Sequence, residues 1–459
     1  MLSNLATEEG ATGTPRCSQI HHGTLKMRLT VVSLLLASLS GTLAINNGVG
    51  YTPPMGWRHW KAFYAHIDQR IMENMMDEMV KKHPVDGKLT SLADLGYLYV
   101  GLDDHWQNCT TVCANGTVIP SWYVHNNFDY QSCEDPKGAK TAPWYDDDGT
   151  PRIDQHRFPD MKGMVAHAHA MGLRAGWYMG NYQCRGAMGN HVPQWNWTRL
   201  AEGSVKAIAE FGFDSVKLDS GFPVGHNMTL WAELLNATGR SVMIENCHQG
   251  GIGPGMNDPN GNCTGLGSPS DCPYNFWRTG GDPEPGWGTI MRELNSLRKV
   301  VNKHYSGGSG KHPGAPEYNA EPPLSRPGAW AYPGTMVVGD GSMTKEENKA
   351  LVEIGSNKAV EVWSKPLGDG KLATFFINTD TNKTNATATV SLADLGITGK
   401  VRVRDVWQKK DLPNSADTFT VELGYHDSAF IIFLPPDAVW PLPFKLAPWM
   451  TAPLVPTPP

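Results

Sequence analysis

The chain has 459 residues, a net charge of −6 and only 18% charged residues, set against 49 Gly, 34 Pro and 16 Trp. That length has room for more than one domain, including a barrel of about 250–300 residues. The acidic balance excludes a basic nucleic-acid-binding surface, and the loop-rich, Trp-rich composition fits a secreted protein with aromatic-lined clefts.

The first element is a short apolar run at 31–39 (Val-Val-Ser-Leu-Leu-Leu-Ala-Ser-Leu), preceded by Lys26 and Arg28 and followed by Thr42-Leu43-Ala44. This is the pattern of a secretory signal with a small-residue cleavage site, and it is too short to span a bilayer. The expected layout is an upstream extension over 1–26, a signal peptide over 27–44, a barrel over 51–357, a β-sandwich over 358–436 and a Pro-rich tail over 437–459. Asn-X-Ser/Thr sequons at Asn108, Asn115, Asn196, Asn227, Asn236, Asn262, Asn382 and Asn385 agree with passage through the secretory pathway, to an extracellular or lysosomal/vacuolar destination. Beyond the leader stand Cys109, Cys113, Cys133, Cys184, Cys247, Cys263 and Cys272, an odd number that leaves one without an intramolecular mate.

From residue 51 short apolar runs alternate with amphipathic helices, the pattern of parallel β/α units. Strands are predicted at Met55–Trp60, Tyr97–Asp104, Arg174–Gly180, Ser215–Asp219, Val242–Glu245, Phe276–Gly281 and Met336–Gly339. Helices are predicted at Asp68–Lys82, Asp160–Met171, Arg199–Phe211, Thr229–Leu235, Thr289–His304 and Thr344–Ile354. In the first helix Ile71, Met72, Met75, Met76 and Met79 form a stripe at helical spacing, which reads as core packing. No Gly-rich phosphate loop follows the first strand, so a TIM (β/α)8-type barrel fits the α/β pattern better than a doubly wound sheet. After residue 358 the helices stop: 359–362, 372–377, 387–392, 401–406, 418–423 and 428–433 read as strands of an antiparallel β-sandwich.

Barrels concentrate function at the C-terminal ends of their strands. Here those ends carry Trp60, Asp103-Asp104, Tyr178, Lys217 with Asp219, the Glu245–His248 stretch, and Arg278 with Asp282. Two acids at the ends of separate strands can act as nucleophile and proton donor in cleaving a glycosidic bond. Each feature also has a plainer reading: a strand-end Asp as a helix or loop cap, Trp60 and Tyr178 as core, Arg278–Asp282 as a structural ion pair. His167 and His169 lie two apart on a helix and face different ways, so they do not form a metal pair.

Five segments in order, Thr52-Pro-Pro-Met-Gly-Trp57, Leu102-Asp-Asp104, Arg157-Phe-Pro159 with Gly172-Leu-Arg-Ala-Gly-Trp-Tyr178, Val216-Lys-Leu-Asp219, and Trp277-Arg278 with Asp282, resemble glycoside hydrolase family 27, the α-galactosidases and α-N-acetylgalactosaminidases. The resemblance runs from Thr52 to about Trp363 and more weakly through the sandwich. It implies a barrel plus a C-terminal β domain and retaining hydrolysis of terminal α-galactosides. It further implies Asp219 as nucleophile and Asp282 as acid/base, with the two carboxyl groups about 5–6 Å apart. Arg278 is implied as donor to the sugar 2-hydroxyl, Asp103 and Asp104 as acceptors from the 4- and 6-hydroxyls, and Trp60 and Tyr178 as pocket wall and polar contact. Lys217, one pleat from Asp219, is expected to keep it ionised, and Asp282 to titrate higher than Asp219. The implied partner is a small-molecule glycoside, with no cofactor, metal, nucleic acid or membrane span, and a homodimer as the assembly.

Three stretches depart from the family pattern. Ile244-Glu-Asn-Cys-His248 stands where Cys-Glu-Trp is common, which on alignment of the cysteine puts His248 at the sugar-recognising Glu position and Cys247 in a disulfide with Cys272. Trp330-Ala-Tyr-Pro-Gly-Thr-Met336 lacks both acids of the family's Trp-Asn-Asp-Pro-Asp-Met, and Asp219-Ser-Gly221 lacks the cysteine of Asp-Gly-Cys, the usual mate of Cys184. Between Gly339 and Lys358 there is room for one helix but no eighth β/α unit, so the barrel is expected to be short of that stave. A dropped exon or a lineage without activity would each produce that gap.

Overall fold

In a computed structural model of the protein, the described residues are 47, 49–50, 54–85, 87–124, 133–135, 138–141, 144–179, 196–219, 227–247, 274–278, 282, 287, 291, 330–332, 360–368, 370–380 and 384–438. Their main sheet holds β1 (Gly56–Arg58), β2 (Tyr99–Gly101), β3 (Arg174–Met179), β4 (Ser215–Asp219), β5 (Met243–Cys247), β6 (Phe276–Arg278) and β7 (Trp330–Tyr332), ordered in space as in sequence. Every adjacent pair is parallel. Between the strands lie α1 (Trp60–Phe63), α2 (Gln69–Val80), α3 (Met161–Ala170), α4 (Trp197–Phe211) and α5 (Met228–Ala237). The fold is the (β/α)8-type barrel that the alternation predicts.

Period-2 alternation sorts each strand into two faces. The outward set, Val100, Leu102, Ala175, Trp177, Val216, Leu218 and Ile244, forms one buried cluster with Met72, Met76, Met164, Val165, Leu200, Ile208, Trp231 and Leu235 of the helices. Trp177 anchors it, stacking on Phe213 at 4.7 Å and tilting against Phe211 at 5.7 Å. The inward set is polar or small: Arg58, Gly101, Gly176, Lys217, Glu245. Register places Arg58 beside Gly101, Gly101 beside Gly176, Tyr178 beside Lys217 and Lys217 beside Glu245. At Gly56 the first two strands approach so closely that an added Cβ would sit 1.8 Å from the Tyr99 carbonyl oxygen.

Helix starts follow capping chemistry. Asp68 accepts from the Ile71 N–H at 2.7 Å, Asp160 from Gly163 at 2.7 Å, and the sequon asparagines Asn196 and Asn227 from Arg199 and Leu230 at 3.2 and 3.0 Å. After β2 the chain forms an insert with short strands Thr111–Val112, Val118–Ile119 and Lys140–Thr141, clamped by a Cys113–Cys133 disulfide. Cys109 is also disulfide-bonded.

The C-terminal part contains β8 (Val360–Gly368), β9 (Lys371–Asn378), β10 (Ala386–Ser391), β11 (Val401–Asp405), β12 (Lys410–Ser415), β13 (Thr418–Leu423) and β14 (Ser428–Leu434). A five-stranded sheet, β8-β9-β14-β11-β12, and the pair β10-β13 are antiparallel throughout. Val362, Phe376, Val390, Phe419, Ile431 and Phe433 fill the space between them. β12 escapes the sequence reading because Lys-Asp-Leu-Pro-Asn-Ser has neither alternation nor β-formers; its pairing to β11 alone tolerates the proline at an edge.

The seventh strand of the sheet, Trp330–Tyr332, is one the sequence reading did not assign; the strand expected at Met336–Gly339 lies outside the described residues. The aromatic-Ala-aromatic triplet of Trp330–Tyr332 suits a strand. Residues 336–359, with the expected helix at 344–354 and the question of the eighth unit, lie outside the described residues. So do most of the helix expected at 289–304, the leader and the tail beyond 438.

Candidate active site

The inward residues at the C-terminal ends of the strands converge. Lys217 Nζ donates to Asp103 Oδ2 at 2.8 Å, with both side chains buried. Arg58 reaches the same oxygen at 3.5 Å through Nη1 and Glu245 Oε2 at 2.8 Å through Nη2. The other Asp103 oxygen accepts the Asp104 N–H at 2.9 Å. Burial alone would raise the Asp103 pKa, but Lys217, Arg58 and His59 outweigh it and hold the carboxyl well below the usual range. Lys217 is the mirror case: burial favours the neutral amine, yet Asp103, Cys247, Asp219 and Glu245 lift it well above its ordinary value.

Asp104, next in sequence, goes the other way. Its Oδ1 accepts from the His105 N–H and from Gln107 Nε2, both at 2.8 Å. Burial first, then the charges of Asp103 and Asp219, push its pKa up to about 7 against those two hydrogen bonds. Adjacent acids are thus driven apart, one ionised and one holding its proton towards neutral pH. His59 supports the pair from below: its Nδ1 accepts the Asp103 N–H at 2.9 Å, which assigns the proton to Nε2. Burial, aided by Arg58 and Lys217, lowers the His59 pKa to about 4 although Asp103 favours its protonation.

Asp219 closes β4, half-buried where Asp103 and Lys217 are buried. Tyr178 Oη donates to Asp219 Oδ2 at 3.1 Å, and Lys217 Nζ lies 5.2 Å from the centre of the Tyr178 ring. Lys217 was expected to serve Asp219. It does feel that charge, but its ion pair is with Asp103, and Asp219 accepts a hydrogen bond from the Tyr178 phenol.

Trp60 opens α1 and stacks on His105 with ring centres 5.5 Å apart. His105 has a φ of 72°, a left-handed conformation that costs a non-glycine residue about 1–3 kcal/mol. Strain of that kind concentrates at functional sites. Lys61, beside Trp60, pairs with Asp282 Oδ2 at 3.7 Å, with the side chains 31% and 43% exposed. This contact ties the segment after β6 to the segment after β1. Arg278 is the last residue of β6 and pairs in register with Tyr332.

One expectation at β5 changes: Cys247 is a buried thiol on the strand's inward face, in register with Asp219, and not half of a disulfide with Cys272. His248, expected at the sugar-recognising position, and Cys272 fall outside the described residues. Glu245 has the same parity as Cys247, one pleat deeper beside Lys217, where Arg58 takes it. Sequence reading missed Arg58, His59 and Gln107. The signal for Arg58 was present, since it lies two residues from Gly56 in the first strand and so shares its face.

Among the described residues no group of His, Cys, Asp and Glu is arranged to hold a metal ion. His167 and His169 go to different partners, Asp77 at 3.0 Å and Asp214 at 2.9 Å.

Residues 357–433 match the family model described as the alpha galactosidase C-terminal beta sandwich domain. The chain is 23% identical to alpha-galactosidase 3 of Arabidopsis thaliana over 91% of its own length and 90% of the relative's. It is 26% identical to alpha-N-acetylgalactosaminidase of Rattus norvegicus over 70% of this chain and 64% of that one. The crystal structure of a GH27 β-L-arabinopyranosidase from Geobacillus stearothermophilus superposes with a TM-score of 0.53 at 18% identity, covering 85% of this chain and 99% of the other. Over most of its length the chain is similar to family-27 glycosidases, and its C-terminal part matches their sandwich domain. No described helix is long and apolar enough to cross a membrane.

Proposed function

We propose that this protein is a retaining glycoside hydrolase that removes terminal α-linked galactose from oligosaccharides or glycoconjugates. One observation carries the reading: a half-buried strand-end carboxylate, Asp219, held by the Tyr178 phenol above a buried, charge-balanced floor. Asp219 attacks the anomeric carbon as Asp282 protonates the departing oxygen, giving a covalent glycosyl-enzyme. Asp282 then takes a proton from water, and the hydroxide displaces Asp219 with a second inversion. Half-exposed Asp282 can exchange its proton with solvent, as an acid/base must. Asp103, Asp104 and Arg278 receive or donate to the sugar hydroxyls, Trp60 walls the pocket, and Lys217 keeps Asp103 charged. His248 is assigned the contact to the sugar's 2-position from its place in the sequence alone.

A second reading has one observation in its favour. The chain is also similar to an alpha-N-acetylgalactosaminidase and, in fold, to a β-L-arabinopyranosidase, so the same machinery could act on such pyranosides. A p-nitrophenyl glycoside panel separates the readings. Turnover of the α-galactoside that vanishes in Asp219→Asn supports the first, preference for another glycoside supports the second, and sugar binding without turnover identifies a non-catalytic relative. The secretory route to an extracellular or vacuolar site is read from the leader and sequons; a mobility shift on deglycosylation checks it. Light scattering checks the expected homodimer.

A further inference from the structure

The floor of the pocket holds a cation that the proposed mechanism does not use. Arg58 lies flat across Gly101, where an added Cβ would come within 3.1 Å of its guanidinium carbon. It spans two carboxylates on strands that are not neighbours, Asp103 after β2 at 3.5 Å and Glu245 in β5 at 2.8 Å. Lys217 approaches Asp103 from β4 at 2.8 Å. The four groups alternate in sign, Glu245–Arg58–Asp103–Lys217, and sum to zero. Beneath Arg58 and Glu245 lies a cavity of about 150 Å³, also lined by Gly56, Gly101, Ser215 and Met243. The ion pair is therefore the roof of a cavity, and among the described residues the cations that reach the Asp103 carboxylate are Arg58 and Lys217, with His59 taking its backbone N–H. A guanidinium suits this task because its rigid planar fork directs separate N–H donors at two carboxylates, whereas an ammonium is a point charge on a flexible stem.

We infer that Arg58, aimed by Glu245, is a positioning residue that sets the Asp103 carboxylate for the incoming sugar hydroxyls. This rests on the reading of Asp103 as a sugar acceptor. Removing Arg58 alone would strand Glu245, so the informative variant is Arg58→Met with Glu245→Met, which removes both charges and spares the fold. It is compared with Arg58→Lys, with Asp103→Asn, and with the triple combination, by kcat and KM for p-nitrophenyl α-galactoside and by galactose affinity from calorimetry. The expected result for the Met pair is a KM and a galactose Kd raised about tenfold or more, the scale of one charge-assisted hydrogen bond, with a smaller change in kcat. Arg58→Lys recovers part of that loss. In the Asp103→Asn background the Met pair adds less than twofold, because the group it positions is gone. A Met pair within twofold of wild type in KM and Kd, or one whose effect multiplies in full onto Asp103→Asn, overturns the inference. Wild-type turnover reports on the functional reading separately, and the calorimetric comparison applies whether or not the wild type turns over.

Discussion

Replacing Lys217 by Met tests the electrostatic core of the site. The substitution deletes an ammonium 2.8 Å from Asp103 Oδ2 and leaves Arg58 at 3.5 Å as the nearest cation. At an effective dielectric of about 20 the lost attraction is roughly 6 kcal/mol before solvation is counted. Breaking a buried pair by removing one partner costs about 3–5 kcal/mol net, and the remaining guanidinium points to the lower end, about 3 kcal/mol. Against a typical domain stability of about 5–15 kcal/mol that is a large loss. Its pH dependence has a definite sign. In the wild type the Asp103 pKa is depressed, so the pair stabilises above the unfolded-state carboxylate pKa and is lost only as pH falls through the lower folded value. Without Lys217, burial raises Asp103 instead, and protonation relieves the strain, so the variant's deficit is greatest at neutral pH and shrinks as the solution is acidified. Urea denaturation followed by Trp fluorescence at pH 7 and at pH 5 measures both. Lys217→Met with Asp103→Leu should recover most of the loss. A single variant within about 1 kcal/mol of wild type, or a double variant as unstable as the single, would refute the buried-pair reasoning.

Three further outcomes follow from the same geometry. Asp104, with its pKa raised to about 7, destabilises the fold as it loses its proton, so wild-type Tm should decline from pH 5 to pH 8 more steeply than that of Asp104→Asn; parallel curves would contradict the assignment. Gly56→Ala forces a Cβ to 1.8 Å from the Tyr99 carbonyl and should abolish soluble expression or lower Tm by more than 10 °C, whereas a shift of a degree would mean that the strands part freely. Trp177→Ala should cost about 3–5 kcal/mol by emptying the space against Phe211 and Phe213, read from the urea midpoint.

What was legible in the sequence divides along physical lines. β4 was predicted residue for residue, because Ser-Val-Lys-Leu-Asp combines β-formers with a clear two-residue period. α2 matched within two residues, because Asp68 caps it and the methionine stripe keeps helical spacing. β7 was missed because an isolated Trp-Ala-Tyr triplet carries too little periodicity to stand out in a sequence. The strand-end rule pointed to Asp103, Asp104, Tyr178, Lys217 and Asp219, and those five are linked by hydrogen bonds, an ion pair and mutual charge effects. Pairing among them was not legible. Which carboxylate Lys217 takes depends on inter-strand register, and so does the meeting of Arg58 with Glu245, 187 residues away.

Trapping the intermediate addresses the catalytic claim at the atom concerned. The protein is incubated with an activated 2-fluoro α-galactoside, digested and mapped by mass spectrometry. The account predicts a single fluorogalactosyl ester on Asp219, absent from Asp219→Asn; a label on another carboxylate, or turnover of an α-galactoside with inversion at the anomeric carbon, would contradict it.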